Sequence, residues 1–135
     1  MRTKSIRQSV SLNASPKEVY DMLMDEKKHA LLTGSTVKMS KKVDGKFEVF
    51  DGYCHGYNIE LEEGKKIVQA WHFQEDGWPD DHFSVCTFLI EPKEKGTLLS
   101  FRQVGVPENK FEELKDGWKQ YYWKSMSEFF KNLSK

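Results

Sequence analysis

Between Phe111 and Leu133 the large apolar residues Phe111, Leu114, Trp118, Tyr122, Met126, Phe129 and Leu133 recur every three or four positions, the spacing of one helix face. The chain before it has a different period. Ile6, Val10 and Leu12 alternate with Ser5, Arg7, Ser9 and Ser11, as in a strand with one wet face, and Gln8 shares the inner side. Ser15-Pro16-Lys17-Glu18 combines a capping hydroxyl, a proline at the first helical position and a glutamate three residues after the cap, which predicts a helix start. Val19, Tyr20, Met22, Leu23 and Met24 form its buried side. Asp25 predicts the cap of a second short helix through about Leu32, closed by Thr33-Gly34.

From Thr36 onward the pattern becomes strand-like runs separated by Asp44-Gly45, Asp51-Gly52, Glu63-Gly64 and Lys95-Gly96. Such pairs are hairpin signals, so the runs predict an antiparallel sheet of sequential neighbours. They are Val37–Ser40, Lys46–Phe50, Tyr53–Glu62, Lys65–Gln74, Phe83–Glu91 and Thr97–Val104, which with the first strand make seven. In Tyr53–Leu61 the odd positions Tyr53, Tyr57, Ile59 and Leu61 are apolar, with His55 among them; in Ile67–Phe73 the odd positions Ile67, Trp71 and Phe73 are, with Gln69 among them. These odd positions predict the inner face. The terminal helix needs cover, and the strands are its only available partner. The expected architecture is therefore α+β: a seven-stranded curved antiparallel sheet gripping a long C-terminal helix, with two short helices after the first strand, the whole forming one domain over residues 1–135. Trp71 and Trp118 fall on facing surfaces and are expected to pack across the core, and the design encloses a cavity. Asn132–Lys135 reads as a fraying helix end.

Composition narrows the function classes. Lys plus Arg and Asp plus Glu number 21 each, and the basic pairs Lys27-Lys28, Lys41-Lys42 and Lys65-Lys66 are scattered, so neither nucleic acid nor an anionic membrane is the expected partner. No run approaches a membrane span. Cys54 and Cys86 have no metal-ligand spacing, no signal peptide opens the chain, and a cytoplasmic protein with two free thiols is the expectation. The aromatic content of 13% supplies rings for a core or for a pocket lining.

Several stretches are similar to one family within the START-like, helix-grip superfamily that includes the birch-pollen allergens and polyketide cyclases. They are Asp44-Gly45-Lys46-Phe47 with Asp51-Gly52-Tyr53 and Gly56; Ile67-Val68-Gln69-Ala70-Trp71; Gly77-Trp78-Pro79 through His82-Phe83-Ser84; Gly105-Val106-Pro107; and Gly117-Trp118 with Tyr121-Tyr122. In order and spacing, from Lys4 to Phe130, they resemble the C-terminal domain of the activators of heat-shock protein 90 ATPase. The resemblance implies a stand-alone domain with no counterpart of the eukaryotic cochaperone's separate N-terminal domain. It also implies a departure at His72, where relatives often carry an arginine, so that a charge contact there would weaken near neutral pH.

Individual residues leave readings open. Gly117 inside a helix costs about 1 kcal/mol relative to Ala; close helix–sheet packing, the reading ranked first, an approaching ligand or a helix that starts irregularly would each account for it. Glu75–His82 holds Trp78, Pro79 and Asp80: either a protein-contact loop with an aromatic anchor, or a turn whose tryptophan folds back, the reading ranked first. No metal-ligand spacing stands out in it. No nucleophile–base motif is visible either, since Cys54 and His55 are adjacent in a strand and point to opposite faces. Cys86 reads as a small core residue, and His29 on the short second helix as a solvated histidine, ranked ahead of an acid–base group near the cavity mouth. Gln69, Gln103 and Tyr122 on inward faces would orient a ligand or satisfy one another.

The expected function is a non-enzymatic binding domain without cofactors. First ranks what the resemblance implies, a cochaperone-like partner of a heat-shock protein 90-type chaperone. Second is a carrier or sensor of a small hydrophobic molecule, its cavity lined by Phe47, Val49, Tyr57, Gln69, Trp71, Phe73, Phe101, Gln103, Trp118 and Tyr122. A cyclase- or hydrolase-type enzyme ranks third.

Overall fold

The computed structural model describes residues 1–133, without the side chains of Asn132 and Leu133. The expectation for the Leu133 side chain as a face residue lies outside what is described, as do Ser134 and Lys135 of the expected fraying end Asn132–Lys135. β1 (Thr3–Leu12) leads into α1 (Pro16–Met24) and α2 (Glu26–Thr33); β2 (Lys38–Met39), β3 (Lys46–Val49), β4 (Cys54–Glu62), β5 (Lys66–Phe73), β6 (Ser84–Lys93) and β7 (Gly96–Pro107) follow. The seven strands form one antiparallel sheet in the order β1-β7-β6-β5-β4-β3-β2, so successive hairpins are closed off by β1 returning to pair with β7. The last segment comprises α3 (Phe111–Trp118), a π-helical turn (Lys119–Trp123) and α4 (Lys124–Leu133).

Local chemistry sets the entry to this architecture. Ser15 Oγ accepts from Glu18 N–H at 3.2 Å while Glu18 Oε1 accepts from Ser15 N–H at 3.0 Å, the reciprocal cap the sequence predicts, with Pro16 starting the helix. Asp25 caps α2 through Lys28 N–H at 3.0 Å, and Gly34 ends it in the left-handed region at φ 73°.

Trp71 on β5 and Trp118 on α3 meet with ring centroids 5.1 Å apart, as their faces predict. Phe101 lies 4.3 Å from Trp118 and 5.1 Å from Trp123. The helical face differs in detail from the expected one: Leu114, Trp118, Tyr122, Trp123, Met126 and Phe130 are buried, whereas Phe129 is only half-buried. The π turn is the physical reason. It inserts one extra residue per turn, so Tyr122 and Trp123 both face the sheet and the inward phase advances from Phe129 to Phe130. Lys119 N–H bonds Asp116 O, and the Lys115 carbonyl accepts instead from Gln8 Nε2 of β1 at 2.9 Å. Gln8 Oε1 in turn accepts from Trp123 Nε1 at 2.6 Å, tying the irregular turn to the sheet.

The expected inner face of β4 is inverted over its first half. Cys54, Gly56 and Asn58 point inward, while Tyr57 and Ile59 lie on the outer face. A bulge between Asn58 and Glu60 shifts the register, after which Leu61 packs against the core. Gly56 is required on the inner side because a Cβ there would overlap Ala70 O of β5 and come within 3.0 Å of Phe47.

Candidate functional site

Between the concave side of the sheet and α3 lies an open cavity of about 390 Å³. Trp71, Phe73 and Cys54 form its sheet wall, Leu114, Trp118 and Tyr122 its helical wall, and Phe50 and Tyr121 part of its mouth. Four of the residues expected to line it are there: Trp71, Phe73, Trp118 and Tyr122. The others are elsewhere. Phe47 and Val49 are buried in the packed core, Phe101 sits beneath the Trp118 and Trp123 rings, and Tyr57 is 40% exposed on the opposite face of the sheet.

Gln69 and Gln103 are spent within the protein. Trp118 Nε1 donates to Gln103 Oε1 at 2.8 Å, and Gln103 Nε2 donates to Ser84 Oγ at 2.9 Å, which itself donates to Trp71 O at 3.1 Å. Trp71 Nε1 donates to Gln69 Oε1 at 2.9 Å, and Gln69 Nε2 to Asn58 Oδ1 at 2.9 Å. Asn58 Nδ2 ends the chain on the Ser40 and Lys42 carbonyls at 2.8 and 2.9 Å. Both indole N–H groups next to the cavity thus find acceptors inside the sheet, and the two glutamines are satisfied by other side chains and not by one another.

His29 is a correction to the sequence reading: it is buried, not solvated. Its Nδ1 donates to Leu23 O at 2.9 Å, which leaves Nε2 to accept from Tyr122 Oη at 2.8 Å. Burial lowers its pKa to about 4 despite the Leu23 hydrogen bond, so the imidazole is neutral at physiological pH. Burial likewise raises the Tyr122 phenol well above its ordinary value. The pair behind the helical wall is therefore uncharged, and the cavity floor is apolar in character.

The mouth carries two features that the sequence pattern did not single out. Phe50 adopts φ 53°, a left-handed conformation rare for a bulky residue, and its ring meets Tyr121 and Tyr122 edge-on at 6.0 and 6.1 Å. The Asp51-Gly52 turn signal was visible, but not that the turn begins one residue earlier. Beside it, Tyr53 Oη donates to Glu75 Oε2, and burial together with that carboxylate raises the phenol's pKa well above its ordinary value. Lys110 Nζ lies 3.5 Å from Glu75 Oε1 and 3.6 Å from Glu113 Oε2, supplying charge to an oxygen that has no hydrogen bond.

Gly117 lines the cavity, and a Cβ there would meet nothing but the Tyr121 ring at 4.0 Å. Close helix–sheet packing does not explain this glycine, which leaves the cavity beside it and the helical irregularity that follows at Lys119–Trp123. Trp78 is also placed differently from a contact anchor: it is 4% exposed, donates from Nε1 to His82 O at 2.8 Å and lies 4.8 Å from the Phe73 ring. The tryptophan has folded back, leaving Pro79 and Asp80 exposed at the loop tip. His72 Nδ1 donates to the same His82 carbonyl at 2.8 Å, so this histidine serves the loop's architecture.

The cavity wall carries one thiol beside Tyr53 and Glu113. Cys54 lines it, but burial and then the Glu75 charge push its thiol well above the ordinary value, the opposite of an activated nucleophile. Cys86 is wholly buried in the core. Among the described residues no group of three His, Cys, Asp or Glu side chains is placed to hold a metal, and no helix is long and apolar enough to cross a membrane.

A curved antiparallel sheet clasping an aromatic helix defines a domain of the helix-grip class. Within that class the chain belongs to the family described as activator of Hsp90 ATPase homolog 1-like protein, whose model matches residues 13–131. It is 28% identical over 116 residues to the human activator of 90 kDa heat shock protein ATPase homolog 1, a match covering 86% of this chain and 34% of the relative. The Dictyostelium discoideum homologue is 31% identical over 120 residues, covering 87% of this chain and 30% of that protein. The chain thus spans about a third of the length of these curated relatives. Among solved structures, an HSP90 activator from Plasmodium falciparum superposes with a TM-score of 0.79 at 28% identity, covering 87% of this chain and 89% of that one. A Chromobacterium violaceum protein gives 0.78 at 26% identity, covering 93% and 96%.

Proposed function

We propose that this chain is a cochaperone-like binding domain that associates with an Hsp90-type chaperone and modulates its ATPase without being an enzyme itself. The observation that carries this reading is the family match over residues 13–131, together with curated relatives named as activators of that ATPase. The matched region is about a third of those relatives, so the effect expected of this chain is binding with a modest change in rate. The test is calorimetric titration and an ATPase assay with the chaperone of the source organism. A complex with a changed turnover is expected; no complex and no change in rate would remove the reading.

A second reading is supported by the cavity. An open apolar space of about 390 Å³ beside a helical glycine that no packing demands is suited to a small hydrophobic molecule. Native mass spectrometry of protein purified without denaturation tests it. A bound species of a few hundred daltons is expected, and a uniformly ligand-free protein would count against it.

A further inference from the structure

The outer face of the sheet, away from the helix, is not the wet surface its position would suggest. One cross-strand row runs Tyr57–Ala70–Val85–Val104 over β4, β5, β6 and β7. Tyr57, Val85 and Val104 in it are 40%, 36% and 43% exposed. This is why β4 misleads as a sequence: its apolar positions belong to an outer apolar surface, while small and polar residues face inward.

The next row along the strands is Glu60–Val68–Thr87–Arg102–Arg7, over β4, β5, β6, β7 and β1, and Glu60 at its far end is paired with Lys66 Nζ at 3.0 Å. Arg7 and Arg102 stand directly opposite one another, and both are exposed. Like charges in that relationship destabilise a sheet. No carboxylate relieves them, since among the described residues neither guanidinium takes part in an ion pair or a side-chain hydrogen bond. Ser9, Ser100, Thr87 and Leu89 complete a shallow depression around the two arginines. A second depression on the far side of β1 adds Lys115 and Lys119 from the helical segment. Along β6 the first acid on this face is Glu91, beyond Leu89. The acids of β4, Glu60 and Glu62, stand at least three strands from the arginine pair, so the basic end of this face is separated from its acidic end by the apolar strands between.

We propose that this face docks an acidic segment of a partner protein, carboxylates on Arg7 and Arg102 and apolar side chains over the Tyr57–Val104 row. A guanidinium offers paired N–H donors that match a carboxylate, and apolar contacts alongside exclude water from the ion pairs. Two guanidiniums next to a β-branched surface are too short a track for a nucleic-acid backbone, whose affinity grows with the number of phosphates neutralised. An anionic lipid surface would call for basic residues around a protruding apolar face, and these valines lie flat on a sheet. The docking rests on the proposed function only in taking the partner to be a protein.

Arg7→Glu is the decisive variant, because it replaces the repulsive pair with an attractive cross-strand one. It is expected to raise the melting temperature while lowering affinity for an acidic partner, a combination a purely structural arginine would not produce. Binding is measured in two arms with wild type, Arg7→Glu and Arg102→Glu. In the first, the partner is the Hsp90-type chaperone; at least a tenfold loss in either variant supports the docking face, and unchanged affinity overturns it while leaving the proposed function intact. In the second, amide shifts are followed during titration with a twelve-residue peptide alternating glutamate and valine. Shifts at Arg7, Val85, Arg102 and Val104 that vanish in Arg7→Glu support the proposal even if the chaperone itself does not bind. Absence of such shifts, or equal shifts with a single-stranded oligonucleotide or phosphatidylserine vesicles, overturns it.

Discussion

The Trp118 indole N–H donates to Gln103 Oε1 at 2.8 Å, so the long helix is fixed on the sheet by a directional bond as well as by buried area. Area alone would let the helix slide. The bond joins a chain that runs through Ser84 to the Trp71 backbone, and Trp71 lies 5.1 Å from the Trp118 ring. Trp118→Phe keeps most of the ring contact but leaves Gln103 Oε1 buried without its donor, and is expected to cost about 1–3 kcal/mol. Trp118→Ala also removes the ring between Phe101 and Trp71, and about 3–5 kcal/mol is expected. Equilibrium urea unfolding checks both; a Phe variant as stable as wild type would show that the polar chain contributes nothing to holding the helix.

Gln8 predicts a comparable effect on β1, the strand paired with β7. It accepts from Trp123 Nε1 and donates to the Lys115 carbonyl at the start of the π turn. Gln8→Leu removes both bonds at once, with an expected loss of about 1–3 kcal/mol. Amide exchange should report faster opening around Lys119–Trp123 than in α4; uniform exchange across the two segments would contradict the role given to Gln8.

His29 links stability to pH. Its folded pKa is about 4 against an ordinary 6.5, so between those values the unfolded chain binds a proton that the folded chain refuses. Stability from this site is complete above pH 6.5, falls by about 1.4 kcal/mol per unit as the pH drops toward 4, and levels off below. The total is roughly 3 kcal/mol. Carboxylates titrate in the lower part of the same range, so the comparison is with His29→Gln, which keeps a buried polar group near Tyr122 and cannot titrate. The difference between the two proteins should shrink on acidification from pH 7 to pH 4.5; a constant difference would mean that the imidazole is not excluded from protonation.

Most of this fold was legible because its signals are local. The Ser15–Glu18 box, Gly34 and the Asp–Gly and Lys–Gly turns each act within a few residues, and the pairing of sequential hairpins follows from them. What was not legible depends on neighbours distant in sequence. A strand's inner face is read from its apolar residues, yet on β4 the outer face is apolar too, and only the bulge after Asn58 and the approach of Ala70 to Gly56 reveal which side is in. Trp123 escaped the helical reading because period 3.6 has no place for the extra residue that the π turn absorbs. At the cavity, Trp71 and Trp118 were visible as large rings on facing elements. Phe50 was not, since its position depends on a backbone conformation that its residue type disfavours.

Two glycines separate what packing requires from what the cavity requires. At Gly56 a methyl would collide with the Ala70 carbonyl and crowd Phe47, so Gly56→Ala is expected to destabilise by about 1–3 kcal/mol. At Gly117 the same methyl has room, with the Tyr121 ring at 4.0 Å, and the helix gains the preference for Ala, about 1 kcal/mol. Gly117→Ala should therefore be more stable than wild type in urea unfolding. If the second functional reading holds, a larger side chain at the same place acts in the opposite direction on binding: Gly117→Leu projects into the cavity between Trp118 and Tyr121 and should displace an apolar fluorescent probe with little loss of stability. Stability is thus available at this position at the expense of cavity volume. A Gly117→Leu protein that binds the probe as wild type does would show that the cavity beside the helix is not where small apolar molecules go.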